Sequence, residues 1–167
     1  MTWLLVLVVT VIGMFGFVVL FGAPYVPTLK SQQQTALELL DLKPGQTLVE
    51  LGSGDGRMLV SAAKLGIHSV GYELNPLLFL YSRIITYKYR KLITIKLADF
   101  WHVTLPPCDG IYVFLLDRYM DKLHTKITHE ITSSVALVSF AFQIPNITHV
   151  TETNGLFLYQ YKKEKNK

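Results

Sequence analysis

The chain has 167 residues, half of them apolar, and a formal net charge of +4. That length suits one domain of ordinary size and not two. A lone cysteine, Cys108, excludes a disulfide framework and a cysteine-rich zinc site, and the five histidines show no metal-ligand spacing. No metal and no nucleic-acid partner are expected.

The apolar excess sits at the start. Residues 3–22 carry neither charge nor proline and are long enough to cross a bilayer as a helix. A cleaved signal peptide fits less well. No Lys or Arg precedes the apolar run, Phe21-Gly22-Ala23 is a poor cleavage site, and Pro24 would follow the cut. An uncleaved transmembrane anchor over residues 1–22 is therefore expected. Lys30 is the first positive charge, and every other basic residue lies beyond it. The positive-inside rule then places the rest of a single-pass membrane protein on the cytoplasmic side. The lipid bilayer is its first expected partner, and the positive balance suits an anionic surface. Residues 23–30 form a linker made extended by Pro24 and Pro27, and residues 31–167 form the domain.

Within the domain a helix is expected over 31–42, with Ser31 at the N-cap and Lys43-Pro44-Gly45 as its stop. Thr47–Leu51 reads as a buried strand because its aliphatic run ends abruptly in a glycine cluster. Gly52, Gly54 and Gly56 let the backbone turn sharply and approach a ligand. A helix over 57–65, closed by Gly66, completes the cofactor cradle of a nucleotide-type α/β fold. A dinucleotide fingerprint would need a third glycine where Arg57 stands. Glu50 and Asp55 also make the turn acidic, a poor bed for pyrophosphate and a good one for an α-amino group. The expected cofactor is S-adenosylmethionine. The second strand, 69–74, ends near Glu73, spaced to accept from ribose hydroxyls. The third, 93–97, leads to Asp99, an acceptor for the adenine amine, with Phe100 on the ring.

Asn75 and Pro76 start a helix over 76–90 that carries Leu77, Leu80, Tyr81, Ile84, Ile85 and Tyr87, with Arg83 and the basic residues of 88–91 on a solvated face. A fourth strand, 111–116, an amphipathic helix, 118–131, and a fifth strand, 135–142, follow. Segments 147–152 and 156–161 flank Asn154-Gly155, a strong hairpin signal. The fold class is α/β: a Rossmann-like sheet with a C-terminal antiparallel hairpin, as in class I methyltransferases, preceded by one transmembrane helix. Three helices fall on one sheet face and only 118–131 on the other. The second face should leave apolar surface bare for the bilayer, a second copy (a homo-oligomer) or a membrane-protein substrate, unless loops 100–110 and 143–147 fold over it.

The motifs Pro24-Tyr-Val-Pro-Thr28, Leu51-Gly-Ser-Gly-Asp-Gly-Arg57, Gly71-Tyr-Glu-Leu-Asn-Pro76, Tyr81-Ser-Arg83 and Asp99-Phe-Trp101 occur in this order. Together they resemble the membrane-associated seven-β-strand lysine methyltransferases that modify the ATP synthase c subunit and the ADP/ATP translocase, over about 24–116. The resemblance implies a cofactor site of Glu50, Gly52, Ser53, Gly54, Asp55, Gly56, Glu73, Leu74, Asn75, Asp99 and Phe100, with Tyr25 and Thr28 folding over it. It implies an acceptor site at the end of the fourth strand, Leu116-Asp117-Arg118-Tyr119, which is only loosely like the Asp/Asn-Pro-Pro-Tyr motif of amine methyltransferases. There Asp117 would orient the substrate ammonium and Tyr119 stack beside its stem; the alternative is a helix-capping Asp117 and a buried Tyr119. His102 has no evident orienting partner. Three functions stay open: a protein-lysine methyltransferase acting on a membrane protein, a methyltransferase for a quinone or lipid headgroup, and a non-catalytic S-adenosylmethionine-binding membrane module.

Overall fold

The computed structural model describes residues 2–6, 8–10, 13 and 28–163. Seven runs become strands: β1 Thr47–Leu51, β2 His68–Glu73, β3 Ile93–Leu97, β4 Gly110–Val113, β5 Val135–Phe140, β6 Thr151–Thr153 and β7 Leu156–Tyr161. They form one sheet in the order β3-β2-β1-β4-β5-β7-β6. The first five are parallel, and β7 runs antiparallel to both β5 and β6. The β6–β7 turn places Asn154 and Gly155 at φ 53° and 74°, the left-handed pair that a tight hairpin needs. Strand order reverses between β1 and β4, and such a switch point opens the ligand crevice of α/β sheets.

Among the described residues, four α-helices flank the sheet: α1 Lys30–Leu40, α2 Arg57–Lys64, α3 Pro76–Ile85 and α4 Met120–Glu130. The N-cap of α1 is Leu29, two residues before Ser31; its N–H donates to Gln32 Oε1 at 2.9 Å. Helices α1 and α2 cover one face, packing Ala36, Leu40, Met58 and Ala62 against Leu48, Tyr112 and Val138. Helix α4 covers the other, packing Met120, Leu123 and Ile127 against Val49, Leu51, Ile111 and Leu137.

That second face is not bare: of the two outcomes the sequence left open, a face waiting for a partner and a face covered by loops, the second holds. Val103, Leu105 and Cys108 from one loop, and Phe142, Ile144 and Ile147 from another, pack on the same core. The Lys126 ammonium donates to the Val103 carbonyl at 2.7 Å and pairs with Glu130, whose other oxygen accepts from the Leu105 N–H at 2.9 Å. A nearly buried ion pair on α4 thus staples the covering loop.

Helix α3 differs from expectation in the opposite sense. It stops at Ile85, a 3₁₀ turn follows over Tyr87–Tyr89, and its only buried residue is Ser82. The apolar stripe expected to pack faces outward.

The expected anchor falls largely outside the described residues. Among those described, no helix is long and apolar enough to cross a membrane. Tyr25, the linker over 23–27 and residues 164–167 also lie outside them.

Candidate cofactor and acceptor site

The C-terminal ends of β1, β2 and β3 converge on the glycine turn. Gly52, Gly54 and Gly56 all take left-handed backbone, at φ 85°, 54° and 79°. The turn satisfies its own amides: Gly52 and Ser53 donate to the Tyr72 carbonyl (3.0 and 2.8 Å) and Gly56 to that of Ser53 (2.8 Å). The Gly54 N–H donates to Glu73 Oε2 at 2.7 Å, and Glu73 Oε1 accepts from Asn75 N–H at 2.7 Å. A phosphate cradle requires a run of bare amides, and here a carboxylate of the chain already occupies that role. Gly71, opposite Glu50 in the sheet, permits the approach; a Cβ there would stand 2.7 Å from Leu59 Cδ1 and 2.8 Å from Ser53 Cβ.

Glu50 is buried, and neither its Oε2 nor the hydroxyl of Ser53 has a partner. Burial pushes the Glu50 carboxyl well above the usual carboxylate range, with repulsion from Asp55 and then Glu73 adding to it. Glu73 is also raised by burial, against which its amide hydrogen bonds act. A buried carboxyl oxygen without a donor calls for a cationic one. The α-amino group of S-adenosylmethionine is such a donor and a pyrophosphate is not, so the residues present fit the cofactor the sequence calls for.

Thr28 roofs this region. Its hydroxyl lies 3.3 Å from the Tyr112 hydroxyl, and its carbonyl accepts from Gln33 Nε2 at 2.7 Å and from Arg57 at 3.4 Å. Arg57 also grips Asp55 through Nε at 2.9 Å and a terminal nitrogen at 2.6 Å. The residue that spoils a dinucleotide fingerprint therefore ties the linker to the turn. Tyr112 stands beside Glu50 in register on β4, and burial raises its hydroxyl pKa. Neither role is visible from local spacing.

The remaining expected cofactor residues lie on the β2 and β3 ends. Leu74 is half-buried. The Asn75 side chain caps α3, accepting from the Leu77 and Leu78 N–H groups at 2.9 and 3.3 Å. Asp99 accepts from the Trp101 N–H at 2.9 Å, and its other oxygen lies 2.9 Å from His102 Nδ1. His102 thus has the orienting partner that the sequence did not reveal. Phe100 is half-buried and packs on Trp101, with 4.6 Å between ring centroids and the rings tilted by 45°.

On the acceptor side, Asp117 opens the 3₁₀ turn Asp117–Tyr119 and is exposed, with no side-chain cap. Tyr119 is half-buried, its ring 5.9 Å from that of Trp101. Lys122 places its ammonium 4.4 Å over the Trp101 ring, so this aromatic surface accommodates an alkylammonium. Trp101 thus touches both Phe100 and Tyr119, one from each group of candidate residues.

The sheet order, the antiparallel β7 and the acidic glycine turn define the class I methyltransferase fold. The model of the ANTKMT methyltransferase domain matches residues 50–151, and the chain belongs to that family. The match starts after the linker motif and runs beyond Leu116 into β6, further than the motifs in the sequence reach. The human lysine N-methyltransferase of the ATP synthase c subunit is 34% identical over 132 residues, 77% of this chain and 56% of that protein. The mouse adenine nucleotide translocase lysine N-methyltransferase is 34% identical over 125 residues, covering 73% of this chain and 54% of that protein. The chain thus spans about half the length of these curated relatives. An RNA methyltransferase from Salinibacter ruber, crystallised with S-adenosyl-L-homocysteine, superposes with a TM-score of 0.76 at 24% identity, covering 85% of this chain and 97% of that one. That likeness is one of fold.

Proposed function

We propose that the chain is a membrane-anchored, S-adenosylmethionine-dependent methyltransferase acting on a lysine side chain of a membrane protein. The observation that carries the cofactor is the unpartnered Glu50 Oε2 beneath a turn in which the Gly52, Ser53, Gly54 and Gly56 amides are already satisfied. The family supports methyl transfer, and the names of its relatives support a lysine acceptor. In this reading Glu50 and Asp55 face the cofactor's amino-acid end, Glu73 its ribose, and Asp99 with Phe100 its adenine.

When bound, S-adenosylmethionine supplies an electrophilic methyl group for an in-line displacement, so positioning does most of the work. A lysine amine, with an ordinary pKa of about 10.4, must first lose its proton. The Trp101–Tyr119 surface would hold the stem, and Asp117 would orient the ammonium as it does so.

The domain layout belongs to the same proposal: anchor 1–22, linker 23–30, methyltransferase domain 31–167 on the cytoplasmic side. In its support, residues 2–6 and 8–10 are helical, and Trp3, Leu4, Leu5, Val6, Val8 and Val9 are exposed apolar side chains.

The test is to incubate the purified full chain with isotopically labelled S-adenosylmethionine and a membrane fraction. Label on a lysine of a membrane protein, lost with Glu73→Ala, is expected. Label in the lipid or quinone fraction alone would replace the acceptor. Cofactor binding with no transfer anywhere would reduce the chain to a binding module.

A further inference from the structure

Helix α3 is built inside out. Where the helix meets the glycine turn its inward side is small and polar: Ser82 is 0% exposed and Thr86 5%, with Leu78 and Phe79 half-buried in the turn before them. It must be so, because the helix lies against the glycine turn; a Cβ on Gly56 would meet Thr86 Cγ2 at 3.0 Å and Ser82 Cβ at 3.3 Å. The outward side carries Leu77, Leu80, Tyr81 and Ile84 at i, i+3, i+4 and i+7, and Leu80, Tyr81 and Ile84 are 58, 54 and 75% exposed. Ile85 and Tyr87 extend the stripe. The fold does not need this apolar surface, and contiguous exposed patches of this kind mark interaction sites.

Its charge says what fits it. Between Glu73 and Asp99 stand Arg83, Lys88, Arg90, Lys91 and Lys96 and no acid, so this segment alone exceeds the net charge of +4 of the whole chain. Among the described residues none of these five takes part in an ion pair. The Arg83 guanidinium lies over the Phe79 ring at 5.8 Å and that of Arg90 over the Tyr87 ring at 4.6 Å, so aromatic side chains of this surface hold two of the charges in place without neutralising them. A second copy is a poor occupant, because a two-fold contact would press this all-positive patch against itself.

We infer that the outer face of α3 and the 3₁₀ turn after it form a docking surface for an anionic phospholipid bilayer. Leu80, Tyr81 and Ile84 enter the headgroup boundary, and Arg83, Lys88, Arg90 and Lys91 meet lipid phosphates, as in interfacial amphipathic helices. Because the N-cap of α3 is Asn75, two residues after Glu73, docking also fixes the cofactor turn against the membrane plane. The assignment does not depend on which acceptor is methylated.

The test uses the full chain in vesicles that contain no other protein. Ile84→Cys carries an environment-sensitive fluorophore, and the parent, whose Cys108 is buried, gives the labelling background. In phosphatidylcholine vesicles with added phosphatidylglycerol, a blue-shifted emission quenched by headgroup-region nitroxide lipid is expected. The quenching should weaken in phosphatidylcholine alone and in high salt. Charge removal at Arg83, Lys88, Arg90 and Lys91 should weaken patch binding about fivefold per site, with unchanged cofactor binding confirming that these variants fold. A label at Glu152→Cys on the far sheet edge should stay unquenched. No quenching at Ile84 in the anionic vesicles overturns the inference. So does a blue shift indifferent to lipid quencher but growing with protein density, the mark of a second copy. Methyl transfer is not read out, so failure here leaves the transferase reading standing.

Discussion

Glu50 sets the balance of the site at the scale of a single residue. Its carboxyl is raised first by burial and then by Asp55 and Glu73. A raised carboxyl favours folding while protonated; that contribution is complete below its unfolded pKa of about 4.3 and is lost as pH climbs through the folded value. A cationic amino group reverses the preference, so cofactor binding should expel a proton, and affinity should rise with pH up to the raised value and then level. Calorimetric titration in buffers of different ionisation enthalpy would read this proton release. Glu50→Gln should flatten the pH dependence and weaken binding about tenfold or more, yet raise the melting temperature of the free protein, because a buried unpaired carboxyl is gone. Gly71→Ala should act on both quantities in the same direction. Its Cβ would press on Leu59 and Ser53, costing about 1–3 kcal/mol of stability and displacing the turn, with thermal melting and cofactor titration as the two readouts. The acids and glycines of the cradle were legible because each is an unusual residue at a strand end. Arg57, Tyr112 and His102 were not. Tyr112 meets Thr28 across 84 positions of sequence, and Arg57 reaches the same residue across 29.

Helix α3 shows the same limit at the scale of an element. Spacing alone reveals that Leu77, Leu80, Tyr81 and Ile84 share one side of a helix, but periodicity carries no sign. The direction is set by Gly56, whose missing side chain draws Ser82 and Thr86 inward. Counting helices per face left two outcomes open for a related reason: it cannot say whether loops cover what helices do not, and here Leu105 and Ile144 do so, at 7% and 2% exposed. The hairpin was legible because Asn154 and Gly155 supply the left-handed conformations its turn needs. The start of α3 was legible too, and it is testable. The side-chain Oδ1 of Asn75 accepts from two of the first free amides of the helix, so Asn75→Ala should cost about 1 kcal/mol in denaturant unfolding. Because Asn75 also donates its N–H to Glu73 through the backbone, the substitution leaves that bond in place, and cofactor affinity should fall little by comparison.

At the scale of the whole molecule, folding and targeting separate along the chain. The buried side chains of the described residues run from Thr28 to Tyr161, so the core that sets stability lies beyond the proposed anchor. A chain starting at residue 23 should keep its melting temperature and its affinity for S-adenosylmethionine. Transfer to an acceptor embedded in a bilayer should behave differently. An anchor makes the encounter of enzyme and acceptor effectively intramolecular, and avidity of that kind exceeds single-site affinity by about a hundredfold or more. The truncated chain should therefore lose kcat/KM on a bilayer-embedded acceptor by about that factor. The same comparison made in detergent, where both chains meet the acceptor in free solution, should show little difference. Side-by-side progress curves in vesicles and in detergent check this directly. Equal rates in vesicles would mean that the membrane does not do the targeting, and recognition would then have to reside in the acceptor rim around Trp101, Asp117 and Tyr119.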